Sequence, residues 1–200
     1  LGNYENLRFL LGDIRDFDRL KFAFRDVDFI VHAAALKQVP AIEYNPFECI
    51  KTNINGTENI VRAAIENKVK KIITLSTDKA CNPINLYGAS KLAADKITIS
   101  ANNYVGNSKT KLSVVRYGNV MASRGSIIPY LIKNIKSKYI NVTDKRMTRF
   151  NITLEESIKL VNNSFKKMVG GEIFVPKLSS YRVTELVRAI CPNSKIKIIG

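Results

Sequence analysis

Between Ser76 and Lys91 the chain gathers an acid, two amines and a phenol, in Ser76-Thr77-Asp78-Lys79-Ala80 and Tyr87-Gly88-Ala89-Ser90-Lys91. A tyrosine phenol, with an ordinary pKa near ~10, is a poor base at neutral pH. A lysine ammonium one helical turn away stabilises the phenolate and can also hydrogen-bond a cofactor ribose. Tyr87 could then take a proton from a sugar-sized substrate while hydride leaves the same carbon. Taken by itself, Tyr-x-x-x-Lys in a Lys-rich chain with eight Tyr is equally an ordinary helix-surface contact.

The surrounding pattern says what must position these groups. Lys71-Ile72-Ile73-Thr74-Leu75-Ser76 is apolar and β-branched, as a buried parallel strand is. A polar turn with Pro83 follows, then a helix with Tyr87 and Lys91 on one face. Thr77, Asp78 and Lys79 therefore fall at the carboxyl end of a strand, where open α/β sheets bind ligands. Strands are expected at 7–11, 27–32, 70–76 and 112–117, with helices at 17–24, 45–67 and 87–103 between them. That alternation predicts a parallel sheet with crossover helices. The last third changes character: a helix at 127–138, an extended stretch around Arg146–Phe150, and a helix opened by a Thr153/Glu156 capping box. Short strands at 172–175 and 196–199 then flank a helix at 184–190.

None of the ten glycines forms the GxGxxG turn that opens a dinucleotide-binding sheet. The expectation is therefore an α/β, Rossmann-like doubly wound parallel sheet lacking its first strand-turn-helix, with a small C-terminal α+β substrate lobe. The chain reads as an internal fragment, with residues 1–125 a partial NADP-binding domain and 126–200 a partial substrate-binding lobe.

Apolar content of 46% with ten Gly and six Pro argues for a packed core rather than disorder. Cys49, Cys81 and Cys191 are scattered, without a CxxC pair, and suit a reducing compartment; the expected location is cytoplasmic. No apolar run approaches the length of a membrane span. The net charge of +15 invites a nucleic-acid reading, but the excess is isolated Lys without a long basic block. A lysine-rich surface, or a bias toward anionic substrates, explains it as well.

Asn119, after Tyr117-Gly118 at a strand end, is a further polar group where substrate should lie, or a turn residue. Ala33-Ala34-Ala35 offers small side chains for close approach to a flat cofactor, or for tight helix–sheet packing. The single histidine, His32, reads as structural, and no His/Cys/carboxylate cluster has metal-ligand spacing.

These segments together resemble the extended short-chain dehydrogenase/reductase superfamily and, within it, the UDP-N-acetylglucosamine 4,6-dehydratases that invert carbon 5. The resemblance rests on Gly12-Asp13-Ile14-Arg15-Asp16, Ala33-Ala34-Ala35-Leu36-Lys37-Gln38-Val39-Pro40, Glu43-Tyr44-Asn45-Pro46 and Lys51-Thr52-Asn53-Ile54-Asn55-Gly56. It continues through Ser76–Ala80, Asn82–Lys91, Val115–Val120, Ser123–Ser126, Met147–Phe150 and Gly171–Lys177. Thr77-Asp78-Lys79 is the discriminating triplet, since related retaining dehydratases carry Asp-Glu there.

The resemblance implies a three-step reaction. Tyr87, assisted by Lys91, would deprotonate the hydroxyl on carbon 4 as hydride passes to a tightly bound, recycled NADP. The resulting ketone acidifies carbon 5, where Lys79 would act as base while Asp78 protonates the departing hydroxyl on carbon 6. Hydride then returns to carbon 6, and reprotonation of carbon 5 from the opposite face gives inversion. The resemblance also places Asp13 and Ile14 beside the adenine, and Ala33, Ala34, Lys37, Tyr87 and Lys91 at the cofactor. Lys37, Thr77, Asn119 and Arg149 would line the UDP-sugar, Arg149 through a bidentate phosphate contact; as residue type alone, Arg149 is a surface arginine. A homo-oligomer built on the 45–67 and 87–103 helices is implied, with neither nucleic acid nor membrane as partner. The alternatives are a UDP-sugar 4- or 5-epimerase of the same superfamily, and a non-catalytic nucleotide- or RNA-binding module.

Overall fold

The computed structural model describes residues 6–123 and 125–200. The chain divides into two compact units: the described residues up to Val115 with Ser164–Phe174, and Arg116–Asn163 with Val175–Gly200. In chain order the elements are α1 (Phe17–Ala23), β1 (Phe29–His32), α2 (Val39–Tyr44), α3 (Pro46–Cys49), a π-helical turn (Ile50–Asn55), α4 (Gly56–Glu66) and β2 (Lys71–Thr77). A 3₁₀ turn (Asp78–Ala80), α5 (Leu86–Ser100), β3 (Lys111–Tyr117), β4 (Asn119–Val120), α6 (Ile127–Lys133) and β5 (Tyr139–Val142) follow. The chain ends with β6 (Thr148–Ile152), α7 (Leu154–Lys167), β7 (Ile173–Phe174), β8 (Ser180–Arg182), α8 (Val183–Ile190) and β9 (Lys195–Ile198).

The first unit is the expected parallel α/β layer. Its sheet has the order β1-β2-β3-β7, with β1–β2 and β3–β7 parallel. Ile72, Ile73, Leu112, Val114 and Val115 are fully buried, as the uninterrupted apolar runs of interior parallel strands require. Ile60, Val61, Ala63 and Ala64 of α4 pack on Ile72 and Leu112, joined by Leu20 of α1. β1 differs from β2: its residues alternate, with Phe29 and Val31 exposed and Ile30 and His32 buried. Its outer edge pairs with no strand among the described residues.

That edge explains the first departure from expectation. The 7–11 segment forms no strand; Leu7, Phe9, Leu10 and Leu11 are exposed, Leu11 at 93%. A backbone enters a sheet only where a neighbouring strand supplies its hydrogen-bond partners, and no strand pairs with this segment among the described residues; Leu11 O instead accepts from Arg19 Nε (2.7 Å). The second departure is the 45–67 helix, which comes as α3, a π-helical turn and α4. α2, with Pro40 in its first turn, is too short to show a period in sequence.

The second unit holds β4–β6 (parallel), β6–β8 (antiparallel) and β5–β9 (parallel). Its core joins Leu131 of α6, Ile140 and Val142 of β5, and Val183, Val187 and Cys191 at α8. The helix expected over 127–138 stops at Lys133, because 139–142 is drawn into pairing with β9. The Thr153 capping box forms: Glu156 N donates to Thr153 Oγ1 (3.1 Å) and Thr153 N to Glu156 Oε2 (2.9 Å).

In the first unit Glu172 fixes the turn before β7. Its carboxylate accepts from Ser113 Oγ (2.6 Å), Val169 N (2.6 Å) and Gly170 N (2.9 Å). Burial raises its pKa, but these donors outweigh burial and hold it below the usual 4.5. A carboxylate with a depressed folded pKa stabilises above its unfolded pKa and loses that contribution as pH falls. Urea unfolding between pH 7 and 3 should therefore show stability falling below about pH 4.5. Glu172→Gln should flatten that dependence.

Candidate active site

The site grows from the carboxyl end of β2. Thr77 ends the strand in extended geometry and caps the 3₁₀ turn, its Oγ1 accepting from Lys79 N (3.4 Å) and donating to Asp78 Oδ1 (2.9 Å). Lys79 Nζ lies 3.0 Å from the same Asp78 oxygen, with the two side chains 41% and 32% exposed. The expected acid and base are thus a contact ion pair open to an incoming ligand.

α5 begins where Asn85 Oδ1 accepts from Gly88 N (2.9 Å) and Glu43 Oε1 accepts from Leu86 N (2.7 Å). The helix lies so close to the turn that a Cβ at Gly88 would collide with the Lys79 carbonyl oxygen and reach 2.9 Å from Pro83 Cβ. Tyr87 is half-buried and Lys91 buried, four residues apart on one face. Lys91 Nζ donates to Leu75 O of β2 at 2.7 Å, which leaves two of its three N–H bonds to direct elsewhere. Burial pulls the Lys91 pKa down, and the Asp95 carboxylate partly offsets that.

The other expected residues of this unit lie as follows. Asp13 is exposed and gripped by Arg15, which lowers its pKa from 3.8 to about 2. Ile14 presses on Gly56, where a Cβ would come within 2.6 Å of Ile14 Cδ1. Asn59 Nδ2 donates to the carbonyls of Ile14 and Arg15 (both 3.1 Å). Ala33 and Ala34 are exposed just past β1 among the described residues. Lys37 is exposed and lines a cleft of about 490 Å³ with Ala35, Leu36, Gln38 and Ile42. Asn119 and Arg149 belong to the second unit. Asn119 is half-buried in β4 opposite Asn151 of β6, and Arg149 is exposed on β6 with Nη1 donating to Thr148 O (2.9 Å).

His32 is structural, as expected. Its Nε2 lies 3.0 Å from Thr57 Oγ1, whose own proton goes to Asn53 O (2.7 Å). Nε2 must therefore donate, and burial, followed by the nearby Lys91 charge, lowers the imidazole pKa to about 3. Sequence reasoning gave no role to Asn53, Glu43 or Asn59. No periodicity marks them, because each acts through hydrogen bonds to residues distant in sequence. Among the described residues no group of three or more His, Cys, Asp or Glu could hold a metal, and no helix is long and apolar enough to cross a membrane.

A family model described as "Polysaccharide biosynthesis protein" matches residues 2–200. The chain belongs to this family. It is 56% identical to the UDP-N-acetylglucosamine 4,6-dehydratase (inverting) of Campylobacter jejuni over 99% of this chain and 60% of that protein. It is 45% identical to a UDP-glucose 4-epimerase of Rickettsia akari, over 97% of this chain and 58% of that protein. The X-ray structure of Pen from Bacillus thuringiensis superposes with a TM-score of 0.89 at 42% identity, covering 98% of this chain and 64% of Pen. The chain thus spans about six tenths of the length of the curated relatives it matches. Solved structures of the same Rossmann-like fold at lower identity include ones determined with NAD or with NADP.

Gly88→Ala tests the close approach of α5 to the turn. Alanine in a helix interior normally gains about 0.5–1 kcal/mol over glycine. Overpacking against backbone costs about 1–3 kcal/mol, so the collision should win. The expected outcome is a lower urea midpoint at unchanged m-value.

Proposed function

We propose that this chain is the catalytic part of an inverting UDP-N-acetylglucosamine 4,6-dehydratase. The observation that carries the reading is the Asp78–Lys79 pair at the end of β2, followed directly by the helix of Tyr87 and Lys91. A single proton moving across the 3.0 Å from Nζ to Oδ1 turns the ion pair into a neutral amine and a carboxylic acid. Those are the two species an elimination needs. Lys79 takes the proton from carbon 5, Asp78 gives its proton to the hydroxyl leaving carbon 6, and the pair ends as ions again. Thr77, bonded to Asp78, holds that carboxyl in place.

Tyr87 removes the proton from the hydroxyl on carbon 4. Lys91, held at the Leu75 carbonyl, favours the phenolate by its charge and keeps N–H bonds for a ribose. The donor set and the exposed Ala33 and Ala34 after β1 fit a nicotinamide dinucleotide, which we assign as NADP; it supplies a reversible hydride acceptor. Asp13 and Ile14 are assigned to its adenine end, and Lys37, Thr77, Asn119 and Arg149 to the UDP-sugar. The open outer edge of β1 is where the strand of a GxGxxG unit would pair in such a sheet. We further assign the protein to the cytoplasm as a homo-oligomer, a reading supported by its free cysteines and by the exposed Phe47 and Tyr44 of α3 and α2.

The second reading, a UDP-sugar 4-epimerase, is favoured by the relatives of that name at 45% identity. Such a reaction needs Tyr87 and Lys91 but no Asp–Lys pair. The deciding experiment uses the full-length protein with UDP-N-acetylglucosamine and NADP⁺ in deuterated water, followed by NMR. A 4-keto-6-deoxy product deuterated and inverted at carbon 5 is expected. Lys79→Ala should lower its formation by about 10²–10⁴-fold. A product that keeps its carbon-6 hydroxyl would make the protein an epimerase.

A further inference from the structure

Strands β4, β6 and β8 of the second unit form a small sheet whose register sorts its side chains by face. Asn119 lies opposite Asn151, and Arg149 opposite Tyr181. Residues two apart on a strand share a face, and so do residues directly opposite on a neighbouring strand. Asn119, Asn151, Arg149 and Tyr181 therefore stand on one face, with Phe150 and Ile152 on the other. The second face is apolar: Ile152 is buried, and the Phe150 ring fills the space that a Cβ at Gly118 would need. The first is polar, with Asn119, Asn151 and Tyr181 half-buried and Arg149 exposed. Asn119 and Arg149 are assigned to the UDP-sugar; Asn151 and Tyr181 have no role in that assignment.

Those two are bonded to each other. Asn151 Nδ2 donates to Tyr181 Oη at 2.6 Å, along a diagonal of the antiparallel β6–β8 pair. An amide nitrogen only donates, so the phenol oxygen is the acceptor and its own O–H is left to donate elsewhere. Burial raises the Tyr181 pKa above its usual 10, against the Asn151 bond and the Arg149 charge, so the phenol keeps its proton at neutral pH. Arg149, at the facing position, has its Cβ about 5 Å from that of Tyr181. Its Nη1 donates to the Thr148 carbonyl (2.9 Å), which leaves most of the five guanidinium N–H bonds for a ligand. The face thus sets a cation beside a neutral O–H donor, with no carboxylate among its four residues. That pairing suits an anionic oxygen, and a phosphate takes the planar guanidinium best.

We propose that Tyr181, held by Asn151, is a substrate-binding residue whose hydroxyl hydrogen-bonds the diphosphate that Arg149 engages. The proposal deepens the dehydratase reading and rests on it for the identity of the nucleotide sugar. A nucleotide diphosphate is also present in NADP. The sugar nucleotide is favoured because every residue assigned to the cofactor lies in the first unit, whereas this face lies in the second. The proposed chemistry takes place on the sugar ring, so a bond to the diphosphate is equally strong before and during it. Such a contact shows in KM and not in kcat.

The test uses the full-length protein with Tyr181→Phe, Asn151→Ala and the double variant. Tyr181→Phe keeps the ring and its packing and removes only the hydroxyl. Affinities for UDP and uridine are read by NMR titration and NADPH affinity by fluorescence, beside kcat and KM for UDP-N-acetylglucosamine. Tyr181→Phe should weaken UDP about tenfold and raise KM by about as much, since it removes a hydrogen bond to a charged group. Its kcat, uridine affinity and NADPH affinity should stay at wild-type values. Asn151→Ala should weaken UDP less, and the double variant should bind UDP no more weakly than Tyr181→Phe.

Wild-type UDP affinity in Tyr181→Phe would overturn the proposal, as would an equal loss for uridine or for NADPH. Additive losses in the double variant would overturn the part given to Asn151, and if Asn151→Ala does not fold, Tyr181→Phe alone decides. A wild type that binds UDP without turning over UDP-N-acetylglucosamine would sink the dehydratase reading alone, because the UDP titration still decides the role of Tyr181. A wild type that does not bind UDP would overturn the proposal.

Discussion

The candidate site depends on how closely α5 can approach the last residues of β2. Gly88 has no side chain, so the helix meets the Lys79 carbonyl at backbone contact distance. That approach brings Lys91 to the Leu75 carbonyl, deep enough to be buried and still hydrogen-bonded. A buried ammonium without a partner would be strongly unfavourable, and one carbonyl acceptor with the nearby Asp95 charge makes it tolerable. In the proposed reaction that burial would serve the lysine's role, since a cation in a poorly solvated place acts strongly on a neighbouring phenol.

The same low-dielectric surroundings govern the groups around it. His32, on the adjacent strand, stays neutral because burial and the Lys91 charge both oppose a second cation. Its neutral ring can then serve as a donor to Thr57 at any ordinary pH. Asn53, Thr57 and Ser90 are uncharged, so the buried chain that they form does not add to the electrostatic load. Apart from the buried Lys91 and Asp95, the ionised groups here are Asp78 and Lys79, which meet each other and the solvent at the end of β2. The division would suit the proposed chemistry, with Asp78 and Lys79 open to a ligand and Lys91 withdrawn from solvent.

Much of this was legible in the residues. The run from Lys71 to Ser76 named its own strand, and Tyr87 and Lys91 announced one helix face. The Thr153/Glu156 spacing predicted the cap that forms. Three expectations failed. The 7–11 segment has strand-like composition but no neighbouring strand among the described residues, 45–67 has helical composition but a widened turn, and 134–138 leaves its helix just before the strand that pairs with β9. In the first and the last, pairing with a distant segment is what local composition cannot supply.

Local patterns thus determined the element types, the strand-end position of Thr77, Asp78 and Lys79, and the residue types available for proton transfer. Those follow from periodicity and from the reach of a single turn, which act within a few residues. Only the tertiary structure decided that Lys79 pairs with Asp78, that Lys91 is buried against Leu75, and that Asn53 holds Leu36 and Ser90 together. The Asn53 contacts join residues 17 and 37 positions apart, and the Lys91 contact spans 16. Such contacts exist only once packing has excluded water, because hydrogen bonds to water compete with each of them until then.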